Sequence, residues 1–280
     1  MRILHVDAFP GMRGGQWQVL RLIEGLTAAG VESTLLAVEG APLFDAARQR
    51  GWRVEPLRPI RALRAARGHD LVHAHDAHGH TIGALIFGVP LVVSRRVAFE
   101  IRSRWKYHRP TRFIAVSEYV KSVLVRGGVA AEKISVVHDG VPLLQVSTGE
   151  SARATVLTKV AGLVPEQSTV NLEQDLRDAS VLLYLSDCEG LGSGALLAMS
   201  AGVPVIASRV GGLLEVIRDG ETGLLVPNEP AAIASAMEKV LGDPDLRRRM
   251  GAAARQTVMD RFTVGQMVRR TMEVYQQVLS

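Results

Sequence analysis

The sequence predicts an α/β protein made of two Rossmann-like domains. Three observations lead there. Short apolar runs alternate with amphipathic segments, which is the pattern of a parallel sheet covered by helices on both faces. Glycine-rich turns join a strand to a helix twice, at Gly11 to Gly15 and at Gly190 to Gly194. The character of the chain also changes once, after Asp139-Gly140, so the predicted domains are 1–140 and 141–280.

The elements follow in order. Arg2 to Val6 reads as a first strand, and Gly11 to Gly15 as the turn after it. The next helix carries Val19, Leu22, Ile23 and Leu26 at i, i+3, i+4, i+7 spacing and stops at Gly30. Strand Thr34 to Val38, helix 42–50 and strands 53–57 and 70–74 come next, then helix 79–87 and strand 90–94. Strand 112–116 leads into a helix capped by Ser117, and strand 133–137 closes the first half. Residues 142–170 are rich in Ser, Thr and Gly and show little periodicity. Regularity returns with strand Val181 to Ser186 and helix 193–201, ended by Gly202. Strand 203–208, helix 213–218 and strand 223–226 follow. The end is helical, 230–241 and 244–278, with a break near Thr263, and the last helix is expected to pack back on the N-terminal domain.

Composition narrows the function classes. The chain has 280 residues, 47% of them hydrophobic and 22% charged, which suits a globular fold with a substantial core. Cys188 is the one cysteine, so no intramolecular disulfide forms and a cytoplasmic setting is expected. The longest uncharged apolar stretch, Thr81 to Ser94, is too short for a membrane span and contains a proline. Charge is uneven: residues 1–140 hold 20 Lys/Arg against 12 Asp/Glu, and 141–280 hold 13 against 16. The excess concentrates in 95–112, where Arg95, Arg96, Arg102, Arg104, Lys106, Arg109 and Arg112 interleave with Phe99, Trp105 and Tyr107. That mixture suits a solvated face or peripheral contact with anionic headgroups at the inner membrane face. Nucleic acid is not expected as a partner, because no nucleic-acid-binding motif accompanies the patch.

The most informative stretch is 186–226. A buried strand runs into a loop with Gly190, Gly192 and Gly194, and a helix begins near Ser193. Glycines let the backbone approach a ligand, and amides at a helix start can hold phosphate oxygens. Glu189 stands just before, where a carboxylate can accept hydrogen bonds from sugar hydroxyls. The same glycines also suit a plain strand–helix turn. Five histidines, His69, His73, His75, His78 and His80, fall within twelve residues. HAHDAH is one residue away from the HxHxDH of binuclear metallohydrolases, since Asp76 comes early, and no distant ligand is evident to complete a metal site.

Together the motifs resemble a family. SDCEGLG, AMSAGVPVIAS, GGLLE and DGETGLLVP are similar to the C-terminal signature of family 4 glycosyltransferases of the GT-B fold. LVHAH (71–75), FIAVSEYVK (113–121) and KISVVHDGV (133–141) stand in that family's order. The resemblance implies two Rossmann-like domains facing a cleft, the second one truncated. It implies a retaining transferase that takes a nucleotide-sugar donor and a glycan or lipid-linked acceptor and requires no metal or cofactor. Carried over by position, His75 and Glu189 are the catalytic candidates. Gly15, Gly190, Leu191, Gly192 and Leu197 fall on the donor, with Arg95 and Arg96 on the acceptor side. Two departures stand out. The family has a second glutamate, for the nucleotide ribose, where this chain has Leu197. Residues 142–180 are also too few for the family's strand–helix–strand–helix half with its basic pair, and Arg153, Lys159 and Arg177 are the cations they offer. A binding-only relative and a GT-B epimerase or phosphorylase are the alternatives.

Overall fold

The computed structural model describes residues 1–101, 105–147 and 172–280, together with the main chain of 156–160. Met1–His138 and Val264–Ser280 form one compact unit, and Asp139–Thr263 forms the other.

The first unit is a seven-stranded parallel sheet in the order β3-β2-β1-β4-β5-β6-β7. The strands are β1 (Arg2–Val6), β2 (Glu32–Ala37), β3 (Arg53–Pro56), β4 (Leu71–Ala74), β5 (Leu91–Arg95), β6 (Arg112–Ala115) and β7 (Ile134–Val136). The helices are α1 (Gly14–Ala28), α2 (Pro42–Gln49), α3 (Pro59–Ala66), α4 (Ala77–Ala84), α5 (Glu118–Arg126) and, from the chain's end, α11 (Val264–Leu279).

Alternation along the strands builds the core. Ile3, Leu71, Val92 and Ile114 point to one face, where α1 supplies Leu22 and Leu26 and α11 supplies Met267, Val268, Val274 and Tyr275. Burying each of these large apolar side chains contributes roughly 1.5–3 kcal/mol. α1 and α11 approach closely because Gly25 has no side chain: a Cβ there would stand 2.4 Å from Val268 Cγ2. Further along the same face the residues turn polar, with His5 on β1, His73 on β4 and Ser94 on β5, all buried.

The second unit has, among the described residues, a four-stranded parallel sheet in the order β11-β10-β9-β8. Its strands are β8 (Val156–Val160), β9 (Val181–Leu185), β10 (Val205–Ser208) and β11 (Gly223–Val226). Its helices are α6 (Leu172–Asp175), α7 (Ser193–Ser200), α8 (Leu213–Val216), α9 (Pro230–Gly242) and α10 (Pro244–Arg261). α10 lies against α7 with glycine at the contact: a Cβ on Gly251 would stand 2.0 Å from Gly202 O.

Three elements were not expected from the sequence, α3, β8 and the single turn α6. α3 buries only Ala62 and Ala66 and exposes Ile60, Arg61, Leu63 and Arg64, so it lacks the apolar stripe that announces a helix. β8 lies inside the 142–170 stretch and pairs with β9 from Val156↔Val181 to Val160↔Leu185. The expected break near Thr263 separates α10 from α11.

Candidate functional site

Two groups of residues collect at the C-terminal ends of strands, one in each unit. Ligands of parallel α/β sheets bind at such ends.

In the first unit, β1 and β4 pair in register with His5 opposite His73, and His75 follows two residues on toward the same face. The three rings pack together. The centroids of His73 and His75 are 4.0 Å apart, and His5 stacks on His75 at 5.2 Å with 19° between ring planes. His5 Nδ1 and His75 Nε2 share a hydrogen bond of 2.9 Å. His73 is held at both nitrogens, by Tyr275 Oη at 2.6 Å and Ser94 Oγ at 2.8 Å. Burial holds all three imidazoles neutral, pushing His5 down to about 3 and His73 and His75 well below the usual histidine range.

The sequence reading of the histidines therefore needs correcting. The five do not form one cluster. His69 bonds Ala65 O and Thr34 Oγ1, His78 is exposed on α4, and His80 is buried against Lys106 O. A distant partner does exist, since His5 brings a third ring, and one nitrogen from each of His5, His73 and His75 lies within 4.8 Å of the others. Their hydrogen bonds to one another, to Tyr275 and to Ser94 already account for four of the six ring nitrogens. Asp76 is the N-cap of α4, accepting from Ala8 N, His78 N and Gly79 N.

Asp7 follows β1 and is fully buried. Gln16 Nε2 donates to its carboxylate at 3.1 Å, and Phe9 N donates at 3.1 Å. Burial dominates over these bonds and raises the carboxyl to about 6. Gly15 lies in the first turn of α1, where a Cβ would stand 3.9 Å from Arg96 Cδ. Arg96 Nη1 donates to His75 O at 3.4 Å. Arg95 is engaged inside its own segment, donating to Phe99 O at 2.5 Å and Tyr107 Oη at 3.2 Å.

In the second unit, β9 ends at Leu185 and the 186–192 loop carries Glu189. Its Oε2 accepts from Tyr184 Oη at 2.7 Å and its Oε1 from Gly190 N at 3.0 Å, so both oxygens are fixed. Burial beside that carboxylate keeps the Tyr184 hydroxyl protonated, pushed well above the usual phenol range. Gly192 starts α7 at φ +96°, a left-handed conformation that favours glycine, and the helix has no side-chain cap there. Its first amides are left to water or a ligand. Ser186, Ser208 and Asn228 brace the loop from beneath: Ser208 Oγ accepts from Ser186 N, and Asn228 Nδ2 donates to Ser186 O. Leu191 and Leu197 are buried. Cys188 is free and exposed. Arg177 is exposed, while Arg153 and the Lys159 side chain lie outside the described residues.

His5, Asp7 and Tyr184 were not among the candidates read from the sequence. Their signal is the strand pairing and the loop closure, which bring together residues up to 70 positions apart.

Two family models match the chain. Glycosyltransferase Family 4 matches residues 12–144, and Glycosyl transferases group 1 matches 149–257. This chain belongs to the family 4 glycosyltransferases of the GT-B fold. It is 33% identical to the alpha-maltose-1-phosphate synthase of Mycolicibacterium smegmatis over 141 residues, which are 48% of this chain and 36% of the relative. It is 32% identical to the N-acetyl-alpha-D-glucosaminyl L-malate synthase of Bacillus anthracis over 173 residues, 59% of this chain and 45% of the relative. The chain thus spans less than half the length of these curated relatives. The crystal structure of Anabaena HepE in complex with UDP and glucose has the same fold, with a TM-score of 0.86 at 16% identity over 99% of this chain and 100% of that one. Among the described residues of this family 4 glycosyltransferase, no helix is long and apolar enough to cross a membrane.

Proposed function

We propose that this family 4 glycosyltransferase moves a sugar from a nucleotide-sugar donor to a glycan or lipid-linked acceptor, with retention of anomeric configuration and without a metal or cofactor. The observation that carries the reading is the fixed Glu189 carboxylate beside an uncapped helix start. A carboxylate with both oxygens oriented is prepared to accept hydrogen bonds from sugar hydroxyls. The amides of Leu191 and Gly192 and the first turn of α7 meet a diphosphate with partial positive charge, while the Gly190 amide holds Glu189. Such dipoles stabilise the departing diphosphate, which carries the charge that develops in the transition state. The bond from the anomeric carbon to the diphosphate oxygen breaks, and the acceptor hydroxyl attacks from the same face. In this reading Gly15, His75 and Arg96 of the first unit keep the donor, catalytic and acceptor roles that the resemblance carries over by position.

Leu197 leaves the ribose without the family's second carboxylate, which costs roughly 1.5–3 kcal/mol of donor affinity. That residue favours the second reading, a binding-only relative. The basic segment 95–112 is proposed as the acceptor's membrane contact on the cytoplasmic side. Phe99 and Trp105 are exposed there, and Arg109 lies 5.3 Å from the ring centroid of the exposed Phe87. Arg102 and Arg104 lie outside the described residues.

The test is thermal stabilisation by UDP-, GDP- and ADP-sugars, repeated with Glu189→Ala. A ligand at 100 times its Kd adds about 2.7 kcal/mol. Stabilisation by one nucleotide sugar, lost in Glu189→Ala, is the expected outcome, and the product's anomeric configuration is then read by NMR. Binding without turnover of any acceptor supports the second reading. No response to any nucleotide sugar overturns both.

A further inference from the structure

We infer that His5 is a positioning residue for His75, fixing it as a neutral ring with its proton on Nδ1, a hydrogen-bond donor rather than a base. The inference rests on the proposal that His75 serves the transferase site.

His5 Nδ1 and His75 Nε2 are 2.9 Å apart, so one of them donates and the other accepts. Each ring has a second nitrogen, His5 Nε2 and His75 Nδ1, that is buried and has no partner. Two neutral arrangements exist. In the first, His75 Nε2–H donates to His5, which leaves an orphaned N–H on His5 Nε2 and a lone pair on His75 Nδ1. In the second, His5 Nδ1–H donates to His75, which leaves a lone pair on His5 Nε2 and an N–H on His75 Nδ1. Each contains one orphaned donor, and a buried orphaned N–H is rarer than an orphaned acceptor. The donor belongs where a ligand can reach it.

The two ends differ in access. His5 is 0% exposed, in the interior of β1 between its neighbours β2 and β4. His75 is 5% exposed, just past the end of β4 where the strand opens into the Asp76 turn. His75 Nδ1 is itself buried, so its N–H meets an incoming oxygen of sugar or phosphate only where this strand end opens around the ligand. His73 does not compete for the shared proton, because Tyr275 and Ser94 hold both of its nitrogens. The guanidinium of Arg96, bonded to His75 O, also disfavours a second proton on the ring. His75 therefore stays neutral. The proton of an attacking hydroxyl then goes elsewhere, to the departing phosphate oxygen, and His75 only donates a hydrogen bond.

The experiment is a long-range ¹H–¹⁵N spectrum of the ¹⁵N-histidine-labelled protein at pH 7.5. The protein has 8 histidines, and His5→Asn, His5→Phe and His75→Phe assign the two rings. Protonated Nδ1 and bare Nε2 on both rings is the expected result. A His75 protonated on Nε2, or on both nitrogens, overturns the inference, and this wild-type measurement does not depend on any variant folding. Kinetics separate the inference from the reading beneath it. The Asn amide can donate in place of Nδ1–H, so His5→Asn is expected to keep kcat within about threefold while His5→Phe loses tenfold or more with little change in KM. If His75→Phe matters and His5→Phe does not, positioning by His5 is wrong. If His75→Phe leaves kcat and KM unchanged, it is the placement of His75 in the site that fails.

Discussion

Tyr184 donates its phenolic proton to Glu189 Oε2 across 2.7 Å, from the buried end of β9 to the loop that follows it. The bond closes the segment 184–189 on itself and leaves the carboxylate one orientation. Tyr184→Phe keeps the buried ring and removes only the donor. Glu189 is half-buried, so water replaces part of the lost bond and stability falls by about 1 kcal/mol. Donor affinity is expected to fall roughly five- to tenfold, because the carboxylate must then be ordered by the ligand. Calorimetric titration with the stabilising nucleotide sugar reads this. An unchanged Kd would mean that the Gly190 amide alone orients Glu189.

Gly212 tests the same loop from the other side. Its amide donates to Glu189 O at 3.0 Å, and a Cβ would stand 2.0 Å from Gly190 O and 2.7 Å from Leu191 Cα. Its φ of −68° is ordinary, so space is the whole constraint. Gly212→Ala must push the 189–192 backbone away, and donor-induced stabilisation is expected to vanish. Gly220→Ala is the control. There φ is +78° with nothing within 4 Å, so the cost is backbone strain of roughly 1–2 kcal/mol with the donor response kept.

Asp7 makes a prediction about pH. Its carboxyl is raised from 3.8 to about 6, mainly by burial. For an acid shifted upward, the native state holds the proton more tightly than the unfolded chain does. The associated stability is complete below about pH 4 and lost as the pH rises through 6. Asp7→Asn keeps an acceptor for Gln16 Nε2 and removes the charge. The variant is expected to match the wild type at pH 4 and to exceed it by on the order of 2–3 kcal/mol at pH 8, measured by denaturant unfolding at each pH. Equal stability at pH 8 would mean that the carboxylate is better solvated than its burial implies.

Much of this was legible in the sequence, and the remainder has a physical cause. Short apolar runs and glycine-ended helices mark most elements of both sheets, because each depends on local pattern. α3 escaped because Ala62 and Ala66 are its only buried side chains. On the site, Glu189 and the glycines after it are local, so motif and structure coincide. His5 is not local. It meets His73 and His75 only because β1 lies beside β4, a crossover that no spacing along the chain records. Tyr184 sits in an apolar strand where its ring alone explains its presence, and only the loop's closure shows the hydroxyl in use.

The buried imidazoles set the protein's acid limit. His5, His73, His75 and His80 are all held neutral chiefly by burial, with His5 near 3 and His80 near 4. For a base shifted downward, stability is complete above the unfolded value near 6.5 and is lost as the pH falls toward the folded value. Between about pH 6 and pH 4 the unfolded chain binds four more protons at these rings, while Asp7 gives one back. The net of about three protons corresponds to roughly 4 kcal/mol per pH unit. Over the two pH units this removes about 8 kcal/mol, comparable with the roughly 5–15 kcal/mol that a domain holds, so unfolding is expected on acidification to between roughly pH 5 and 3.5, steeply and led by the first unit. Circular dichroism across a pH series gives the midpoint. His5→Asn removes one of the four protons, so its transition should be shallower and lie at lower pH. A wild type still folded at pH 3.5 would mean that these rings take up protons without leaving the core.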